Sequence, residues 1–448
     1  MSSFATLPAG DRYWLLNARV PLVFLDSRRE WSPLPHLSHP PVAEDLVAVD
    51  IEISSGQITC LQPAGQPLPP EAVGLDIQKG LIWPCFVDAH THLDKGHIWE
   101  RMPNPDGTFD SALAVVAKDR EKRWDAEDLY RRMNFGLKCS YAHGTQAIRT
   151  HLDAFGDQAA TSVEVFQVLR REWEGRIALE GVCLVSLDYY QTAQGEQLAD
   201  LMAEAGGILG GVTQMGPDLD DQLDRLFSLA QERNLALDLH TDESLDPNDI
   251  TLRHVAMAKQ RHGFSAQVTC AHCCSLSVQA PAVANATMDW VKETEIAIIS
   301  LPMCNLYLQD RQPQRMPRYR GVTLLHELKQ RGILVILASD NCRDPFFAYG
   351  DHDALEVFTQ SARIGHLDRP FADWPLAVTR LPGELMGLPD SGRIATGSSA
   401  DLIVFKARTF NELLARPQSD RIVIRKGQAI DTTLPDYAEL DDLMAELE

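Results

Sequence analysis

The segment from Gly80 to Lys95 reads GLIWPCFVDAHTHLDK. Its apolar run, Ile82–Ala89, predicts a buried strand, and the run ends in His90-Thr91-His92. Side chains at positions i and i+2 of an extended segment point the same way, so both imidazoles lie on one side of the strand end. Two imidazoles in this arrangement can hold one divalent ion. An isolated His-x-His is also compatible with two surface histidines.

Downstream of this segment, short apolar runs alternate with longer amphipathic stretches, as in repeated β–α units. Eight runs are predicted strands: Ile82–Ala89, Gln146–His151, Ile177–Val185, Ile208–Thr213, Leu235–His240, Gln267–His272, Ala297–Leu301 and Leu334–Ser339. Helices are predicted among them, including Leu129–Ala142, Ser162–Trp173, Leu219–Arg233, Ile250–Gly263, Ala282–Glu293 and Leu324–Arg331. Eight strands each followed by a helix close into a (β/α)8 TIM barrel, so the sequence predicts an α/β fold of this kind.

Both ends of the chain are rich in short β-like runs instead. At the N-terminal end these are Tyr13–Asn17, Val20–Leu25, Leu46–Ile53 and Ile58–Leu61, with a proline- and histidine-rich loop at 31–41. After the barrel they are Gly392–Ile394, Ala400–Phe405 and Ile422–Arg425. We expect residues 1–80 and 385–430 to build one small β-sandwich domain from both termini, beside a barrel of residues 81–384. Residues 431–448 predict an acidic, helix-prone surface tail.

The composition argues against several classes of function. The formal net charge of −22 leaves no basic footprint for nucleic acid. No apolar run reaches the ~18 residues of a membrane span, and residues 1–25 lack the basic start of a signal peptide. The nine cysteines are an odd number without a regular framework, which is typical of reduced thiols. We therefore expect a cytoplasmic homo-oligomer that binds a small molecule, with no nucleic-acid or membrane partner.

Three further polar groups end predicted strands at the face where (β/α)8 enzymes keep their active sites. His240 ends strand five, with Glu243 just beyond it, and His272 ends strand six. Asp340 follows strand eight, where a carboxylate after an apolar run is costly unless it is paired or binds a metal. Each residue alone is compatible with a packed core. Together with the His-x-His pair they predict a metal site beside an acid–base pair.

The ordered motifs resemble the cytosine deaminase branch of the amidohydrolase superfamily, over about residues 13–428. They are Phe86–Lys95, Arg149–Asp153, His240–Glu243, Val268–His272, Pro302–Gln309, Ser339–Phe347, Gly392–Gly397 and Ala400–Ile403. The resemblance implies one divalent ion, either zinc or ferrous iron, and these ligands: His90, His92, His240 and Asp340. Some members of the superfamily bridge two metals with a lysine that ends strand four. Here that strand ends Gly211-Val-Thr-Gln-Met215, which implies a single ion.

The resemblance also implies hydrolytic deamination. A divalent ion lowers the pKa of a water molecule to near neutrality. Asp340 then accepts the proton of that water, His272 polarises or orients it, and Glu243 carries a proton from the ring nitrogen to the leaving ammonia. We expect cytosine, converted to uracil and ammonia, as the first candidate substrate. The alternatives are another aminated ring (an s-triazine, a methylated pyrimidine or a pterin) and, remotely, a non-catalytic binding protein on a barrel scaffold.

Two departures from the cytosine deaminases concern substrate recognition. Their Pro-Gln pair at the end of strand three is Val185-Ser186 here, and the aspartate that follows the metal aspartate is Asn341. Asn341 offers a donor and an acceptor, whereas an ionised aspartate only accepts. We therefore predict that cytosine, if it is a substrate, is a poor one. We also predict that Asn341→Asp shifts the preference towards cytosine.

Several weaker candidates surround this set. The form His-Leu-Asp-Lys95 resembles relatives that hydrolyse aminated triazines, and Lys95 either holds a substrate carbonyl or pairs with Asp94 or Asp153. Gln309 is a further candidate substrate contact, whereas Trp99 is more consistent with packing. Supporting roles are predicted for Arg149, His151 and Asp153. Burial as small apolar groups is predicted for Cys270, Cys273 and Cys274. The small cytidine-deaminase fold is excluded because its H-x-E and P-C-x-x-C motifs do not occur.

Overall fold

The chain divides into two compact units. A computed structural model describes residues 4–26, 31–35 and 44–445, so part of the predicted 31–41 loop and the end of the predicted tail lie outside the described residues. The first unit comprises residues 1–88, 138–147 and 353–435, and the second comprises residues 89–137, 148–352 and 436–448. None of the described helices combines the length and apolar composition needed to cross a membrane.

The first unit begins with a four-stranded sheet in the order β3-β2-β1-β4. Its strands are β1 (Arg12–Pro21), β2 (Leu46–Ser54), β3 (Gln57–Pro63) and β4 (Gly74–Asp76). The two predicted strands Tyr13–Asn17 and Val20–Leu25 were wrong as separate elements. Asn17, at a positive φ of 53°, lies in an irregularity of the pairing with β2, so β1 continues through it. Residues Leu22–Phe24 form a 3-10 turn instead of extending the strand.

The predicted strand Ile82–Ala89 is two strands that belong to different sheets. These are β5 (Ile82–Pro84) and β6 (Phe86–Thr91). Pro84 has no N–H to donate to a ladder, and the backbone N–H of Cys85 donates to the carbonyl of Asp401. The break therefore lies at the Pro84-Cys85 step, where the apolar composition of the run gives no sign of it.

The barrel is a single sheet in which each strand neighbours the next along the chain, from β6 to β13. The other strands are β7 (Thr145–Asp153), β8 (Ala178–Leu184), β9 (Ile208–Val212), β10 (Leu237–Thr241), β11 (Val268–His272), β12 (Ala297–Ser300) and β13 (Val335–Leu337). A parallel bridge between Thr91 and Asp340 joins its two edges. The predicted (β/α)8 TIM barrel is confirmed.

Helices lie between these strands and after the last of them. They are α1 (Phe109–Arg123), α2 (Ala126–His143), α3 (Gln158–Glu172), α4 (Ala193–Ala205), α5 (Leu219–Arg233), α6 (Thr251–Arg261), α7 (Pro281–Glu293), α8 (Pro302–Leu308), α9 (Leu325–Gln330), α10 (Ala354–Gly365), α11 (Arg380–Leu385), α12 (Phe410–Leu414) and α13 (Asp441–Met444). Helix α1 was not predicted from the sequence. Its apolar period is weak because its buried positions are only Ala112, Val116 and Asp119.

A second small sheet, in the order β16-β15-β14-β5, completes the first unit. Its later strands are β14 (Leu402–Val404), β15 (Ile422–Arg425) and β16 (Gln428–Ala429). Backbone hydrogen bonds join the two ends of the chain: Ile58 donates to Ser398, and Gly397 donates to Ile58. The predicted strand at Gly392–Ile394 is reduced to one bridge between Leu25 and Ile394.

The C-terminal segment from Asp436 belongs to the second unit. It forms a 3-10 turn at Tyr437–Leu440 and then α13. Arg131 on α2 contacts both carboxylate oxygens of Asp442 at 2.5 and 2.6 Å. Arg123 on α1 donates to the carbonyl oxygens of Leu443 and Ala445. This part of the predicted acidic tail therefore lies against the helices that precede and follow Trp124.

Candidate active site

The four predicted metal ligands converge at the carboxyl ends of the barrel strands. His90 lies on β6 and His92 just beyond it, His240 lies on β10, and Asp340 follows β13. The Asp340 Oδ1 atom is 3.4 Å from Nε2 of His90 and 3.3 Å from Nε2 of His92. The Nε2 atoms of His92 and His240 are 3.3 Å apart. All four side chains are buried.

These separations suit ligands of one ion. Two donors that each lie ~2.1 Å from a tetrahedral ion are about 3.4 Å apart, close to the distances among the four side chains. The distances from the Asp340 carboxylate are longer than the ~2.7–2.9 Å of charge-assisted hydrogen bonds. The donor set of three imidazoles and a carboxylate suits zinc and ferrous iron alike. The residues present therefore fit the group that the sequence implies.

Electrostatics keep these ligands in the forms that bind a cation. Burial lowers the pKa of His92 and of His240 well below the ordinary histidine value, with Lys95 and His90 respectively adding to the effect. Burial alone would raise the pKa of Asp340, but His272 and the two β6 imidazoles outweigh it and hold that pKa well below its ordinary value. Neutral imidazoles and an ionised carboxylate are the species that ligate metals.

Glu243 and His272 form a second group beside the ligands. Glu243 Oε1 lies 3.2 Å from Nδ1 of His272, and the amide nitrogen of Asn305 lies 2.9 Å from the same Nδ1 atom. The two contacts imply different forms of the ring, because an amide N–H of Asn305 would donate to Nδ1 whereas an ionised Glu243 would accept a proton from it. The buried Nε2 atom of His272 has no hydrogen-bond partner among the described residues. This atom is therefore available to a water molecule or to the substrate.

Both groups line one cavity of about 260 Å³. Its polar wall includes His92, Lys95, Asp153, His240, Glu243, His272, Asp340 and Asn341. Its apolar wall includes Phe109, Leu113, Val116, Phe155, Leu184, Val185, Val212 and Phe346. The volume is close to the lower end of the ~300–1,000 Å³ of small-molecule sites. A flat ring of modest size suits such a cavity.

Lys95 both lines the cavity and forms an ion pair. Its Nζ atom is 2.8 Å from Oδ1 of Asp153, whose other oxygen receives a 2.8 Å hydrogen bond from Arg120. Burial would lower the pKa of Lys95, but Asp153 and Asp94 outweigh it and raise that pKa. Lys95 is therefore a cation. Of the two predicted roles, pairing with Asp153 is present, and the cavity position leaves carbonyl binding open to test.

Of the other candidate substrate contacts, some line the cavity and some do not. Asn341 lines the cavity, but its amide nitrogen donates to Asp344 Oδ2 at 2.7 Å. Gln309 ends α8 and donates to the backbone carbonyl of Glu243 at 3.1 Å, so it holds the segment that carries the acid. Ser186 bridges to Val212, and at this position the cavity wall is formed by Val185. The described cavity wall also does not include Trp99.

Asp238 is a buried residue that the sequence reasoning missed. It accepts a 2.9 Å hydrogen bond from Arg149 and lies 3.4 Å from Nε2 of His151. The His151 ring lies 3.9 Å from the ring of His90. Asp238 was visible as a charged residue inside the apolar run Leu235–His240. Arg149 and His151 were predicted to have supporting roles, and the geometry places them behind the candidate ligands.

Arg120 and Asp344 also went unnoticed, and the sequence offered little signal for either. Arg120 lies on the unpredicted α1. Asp344 is fully buried, and burial raises the pKa of its carboxyl to about 7. The three clustered cysteines, in contrast, are buried free thiols, in keeping with the packing interpretation: Cys270, Cys273 and Cys274.

Comparison with known proteins identifies the family. A profile of the Amidohydrolase family matches residues 203–431. Pterin deaminase from Rhizobium rhizogenes is 49% identical over 443 residues, which cover 99% of each chain. N-isopropylammelide isopropyl amidohydrolase from a Pseudomonas species is 23% identical over 371 residues, 80% of this chain and 87% of that protein. The chain belongs to the amidohydrolase family, and the resemblance seen in its motifs is confirmed.

Solved structures agree on the fold. The structure of 5-methylcytosine deaminase from Klebsiella pneumoniae with 5-fluorocytosine has a TM-score of 0.77 and 24% identity, and the match covers 94% of this chain and 98% of that one. The class of enzyme follows from the family match and from the 49% identical pterin deaminase. The protein is a hydrolase of carbon–nitrogen bonds other than peptide bonds and a hydrolytic deaminase of a heterocycle. The non-catalytic alternative is thereby set aside.

Proposed function

We propose that the protein is a pterin deaminase, which replaces the exocyclic amine of a 2-amino-4-oxopteridine ring with oxygen and releases ammonia. One observation carries the choice of ring: pterin deaminase from Rhizobium rhizogenes is 49% identical to this chain over nearly its whole length. Cytosine was the first expectation from the sequence, and a pterin was among the alternatives. The likeness to 5-methylcytosine deaminase bears on the fold alone at 24% identity.

The shape of the cavity supports a flat aromatic substrate. Phe109, Phe155 and Phe346 lie in its apolar wall, and the candidate catalytic groups lie in its polar wall. The cationic Lys95 Nζ lies 5.7 Å from the centroid of the Phe346 ring. A ring bound against these aromatic side chains can present its carbonyl to Lys95. The same ring can present its amine-bearing carbon to the polar wall.

In this proposal His90, His92, His240 and Asp340 hold one divalent ion, zinc or ferrous iron. When bound, the ion supplies Lewis-acid activation of water at neutral pH. Asp340 Oδ accepts a proton from the attacking water, and Nε2 of His272 orients it. Glu243 protonates the ring nitrogen next to the reacting carbon, takes up the proton of the newly added hydroxyl group and passes that proton to the leaving amine.

The test is a comparison of kcat/KM on four compounds with purified, metal-loaded protein, measured by ammonia release. The compounds are pterin, cytosine, 5-methylcytosine and an aminated s-triazine. We expect pterin to exceed each of the others by at least ~10², because a site that pairs with ring edges rejects a mismatched ring strongly. Equal or greater kcat/KM on cytosine would overturn the pterin assignment but leave the deaminase class intact.

A further inference from the structure

A second group of metal-ligating side chains lies outside the cavity. His97, Cys342 and His352 are all buried, and their ligand atoms lie within 4.8 Å of one another. The Nε2 atoms of His97 and His352 are 3.2 Å apart. Neither His97, Cys342 nor His352 lines the active-site cavity. The mechanism proposed above uses none of the three.

A backbone hydrogen bond and two unusual backbone conformations bring these three side chains together. The N–H of His97 donates to the carbonyl of Cys342 at 3.1 Å, which ties the segment after β6 to the segment after β13. His97 and His352 both adopt positive φ, at 62° and 54°, a conformation that non-glycine residues rarely adopt. Gly136 on α2 leaves the room that His352 occupies, because a Cβ there would lie 2.9 Å from Nε2 of His352.

We propose that His97, Cys342 and His352 form a second metal site that binds zinc. Two imidazoles and a thiolate are a borderline-soft set that favours zinc over magnesium, calcium or manganese. The separation of the two Nε2 atoms suits donors at ~2.0–2.1 Å from a tetrahedral ion. The three ligand atoms lie within 4.8 Å of one another, so the thiol would move closer to reach its ~2.3 Å ligand distance, and a water molecule would supply the fourth ligand.

Two guanidinium groups act electrostatically on His97, and both already have carboxylate partners: Arg132 and Arg343. Arg132 pairs with Asp128 at 2.6 Å, and Arg343 pairs with Glu100 and lies 4.2 Å from the centroid of the Tyr437 ring. The Nδ1 atom of His97 is buried without a hydrogen-bond partner among the described residues. A plain imidazole–imidazole hydrogen bond would satisfy the two Nε2 atoms but would give the thiol of Cys342 no role.

Such an ion would hold two loops of the barrel in position. His97 follows His92 by five residues, and Cys342 follows Asp340 by two. An ion that joins these segments holds the loops that carry two of the candidate catalytic ligands. It also spans the seam where the barrel sheet closes through the Thr91–Asp340 bridge. The second ion is therefore a positioning and stabilising group, not a participant in the chemistry.

X-ray absorption on the full-length protein, stripped of metal and reloaded with zinc alone under a non-chelating reductant, tests the site. The candidate active site contains no sulfur ligand, so a sulfur scatterer at ~2.3 Å reports the second site only. We expect two zinc ions per chain and a sulfur contribution. One zinc per chain with only nitrogen and oxygen neighbours would overturn the proposal, whatever the substrate of the enzyme proves to be.

The variant Cys342→Ser tests whether the sulfur scatterer is the thiol of Cys342. We expect it to bind one zinc ion per chain, with no sulfur scatterer, and to show a smaller rise of Tm on zinc addition. Cys85→Ser is the matched control, because Cys85 is also a buried thiol but lies in the first unit. It should behave as wild type. A sulfur signal that persists in Cys342→Ser would overturn the assignment, and the wild-type spectrum decides the question if the variant does not fold.

Discussion

Glu243 contacts the imidazole of His272 and interacts electrostatically with Asp340. Burial raises the pKa of Glu243 well above the ordinary value, and the Asp340 charge adds to this, whereas Lys95 acts in the opposite direction. A raised pKa suits a carboxyl group that donates a proton to a ring nitrogen. The residue is 12% exposed at the side chain, and that contact with the cavity gives the proton a route to substrate.

Glu243→Gln keeps the shape of this side chain but removes its titratable proton. We expect metal content to stay at the wild-type value while kcat falls by ~10²–10⁴, the range of general acid–base catalysis. Elemental analysis and steady-state kinetics on the same preparation measure both quantities. Glu293→Gln, at an exposed position that ends α7, is the control and should leave kcat unchanged. Near-normal turnover in a metal-loaded Glu243→Gln protein would remove Glu243 from the mechanism.

The neighbourhood of Asn341 changes what its replacement should do. The sequence predicts that Asn341→Asp shifts preference towards cytosine. In the structure the Asn341 amide donates to the buried carboxyl of Asp344, whose other oxygen accepts from the backbone N–H groups of Phe346 and Phe347. The single substitution therefore sets two carboxyl groups against each other and removes a donor. We expect the substitution to disturb the loop at residues 341–347 more than it changes the choice of substrate.

We expect Asn341→Asp to destabilise the protein by ~1–3 kcal/mol, the cost of a buried polar group left without its partner, and to lower kcat/KM on every substrate. The double variant Asn341→Asp with Asp344→Asn reverses the donor and acceptor and should recover most of the loss. Chemical denaturation and a double-mutant cycle measure this coupling. Additive effects of the two substitutions would show that the contact has no energetic role. Because the double variant keeps a donor and an acceptor at these two positions, it tests the predicted shift towards cytosine without the loss of this contact.

At the scale of strands and helices, the sequence predicts the elements that are marked by regularly spaced apolar residues and by the residues that end a strand. The eight barrel strands and the position of each candidate ligand at a strand end follow from apolar runs and the residues that close them. Contacts between segments that are distant in the chain do not follow from these patterns. The break at Cys85 depends on a hydrogen bond to Asp401, more than 300 residues away in the chain. Likewise, the ion pair of Arg120 with Asp153 depends on α1, whose apolar period is too weak to predict.

Side chains from β7 and β10 form a buried network behind the ligands. Asp238 precedes His240 by two residues, so both side chains project to the same face of β10. There the carboxylate of Asp238 meets Arg149 and His151, both on β7. Arg149 is fully buried and also pairs with Glu180 at 2.9 Å. The network fixes two strands and the imidazole that lies against His90.

Asp238→Asn should therefore cost far more than the loss of a surface ion pair. We expect a loss of ~3–5 kcal/mol in the free energy of unfolding, the range for removing one partner of a buried pair. Urea denaturation measures it. Glu384→Gln is the surface control, because it breaks the exposed pairs of Glu384 with Arg380 and Arg393, and ~0–1 kcal/mol is usual for a surface pair. Equal losses in the two variants would show that the buried network does not stabilise the barrel.

For the molecule as a whole, the closure of the barrel depends on few backbone contacts. One bridge joins Thr91 to Asp340, supported by a 2.9 Å hydrogen bond from the Thr91 hydroxyl to the Asp340 carbonyl. Side chains from both sides of this seam, His92 and Asp340, belong to the candidate metal site, and His240 adds a ligand from β10. An ion held by all of them ties the seam to the far side of the sheet. Metal binding and folding are therefore expected to be coupled.

Removal of metal should accordingly lower the stability of the whole second unit, not only its activity. A ligand present at ~1,000 times its Kd stabilises a folded protein by about 4 kcal/mol, so we expect chelation to lower Tm clearly and zinc or ferrous iron to restore it. Differential scanning calorimetry of stripped and reloaded protein measures the change. Asp340→Asn, which lacks a ligand of the first site, should lose most of this response, whereas Cys342→Ser should lose only the part due to the second site. If stripped and reloaded wild-type protein melt at the same temperature, neither ion supports the seam, and the barrel closes by packing and its backbone bridge alone.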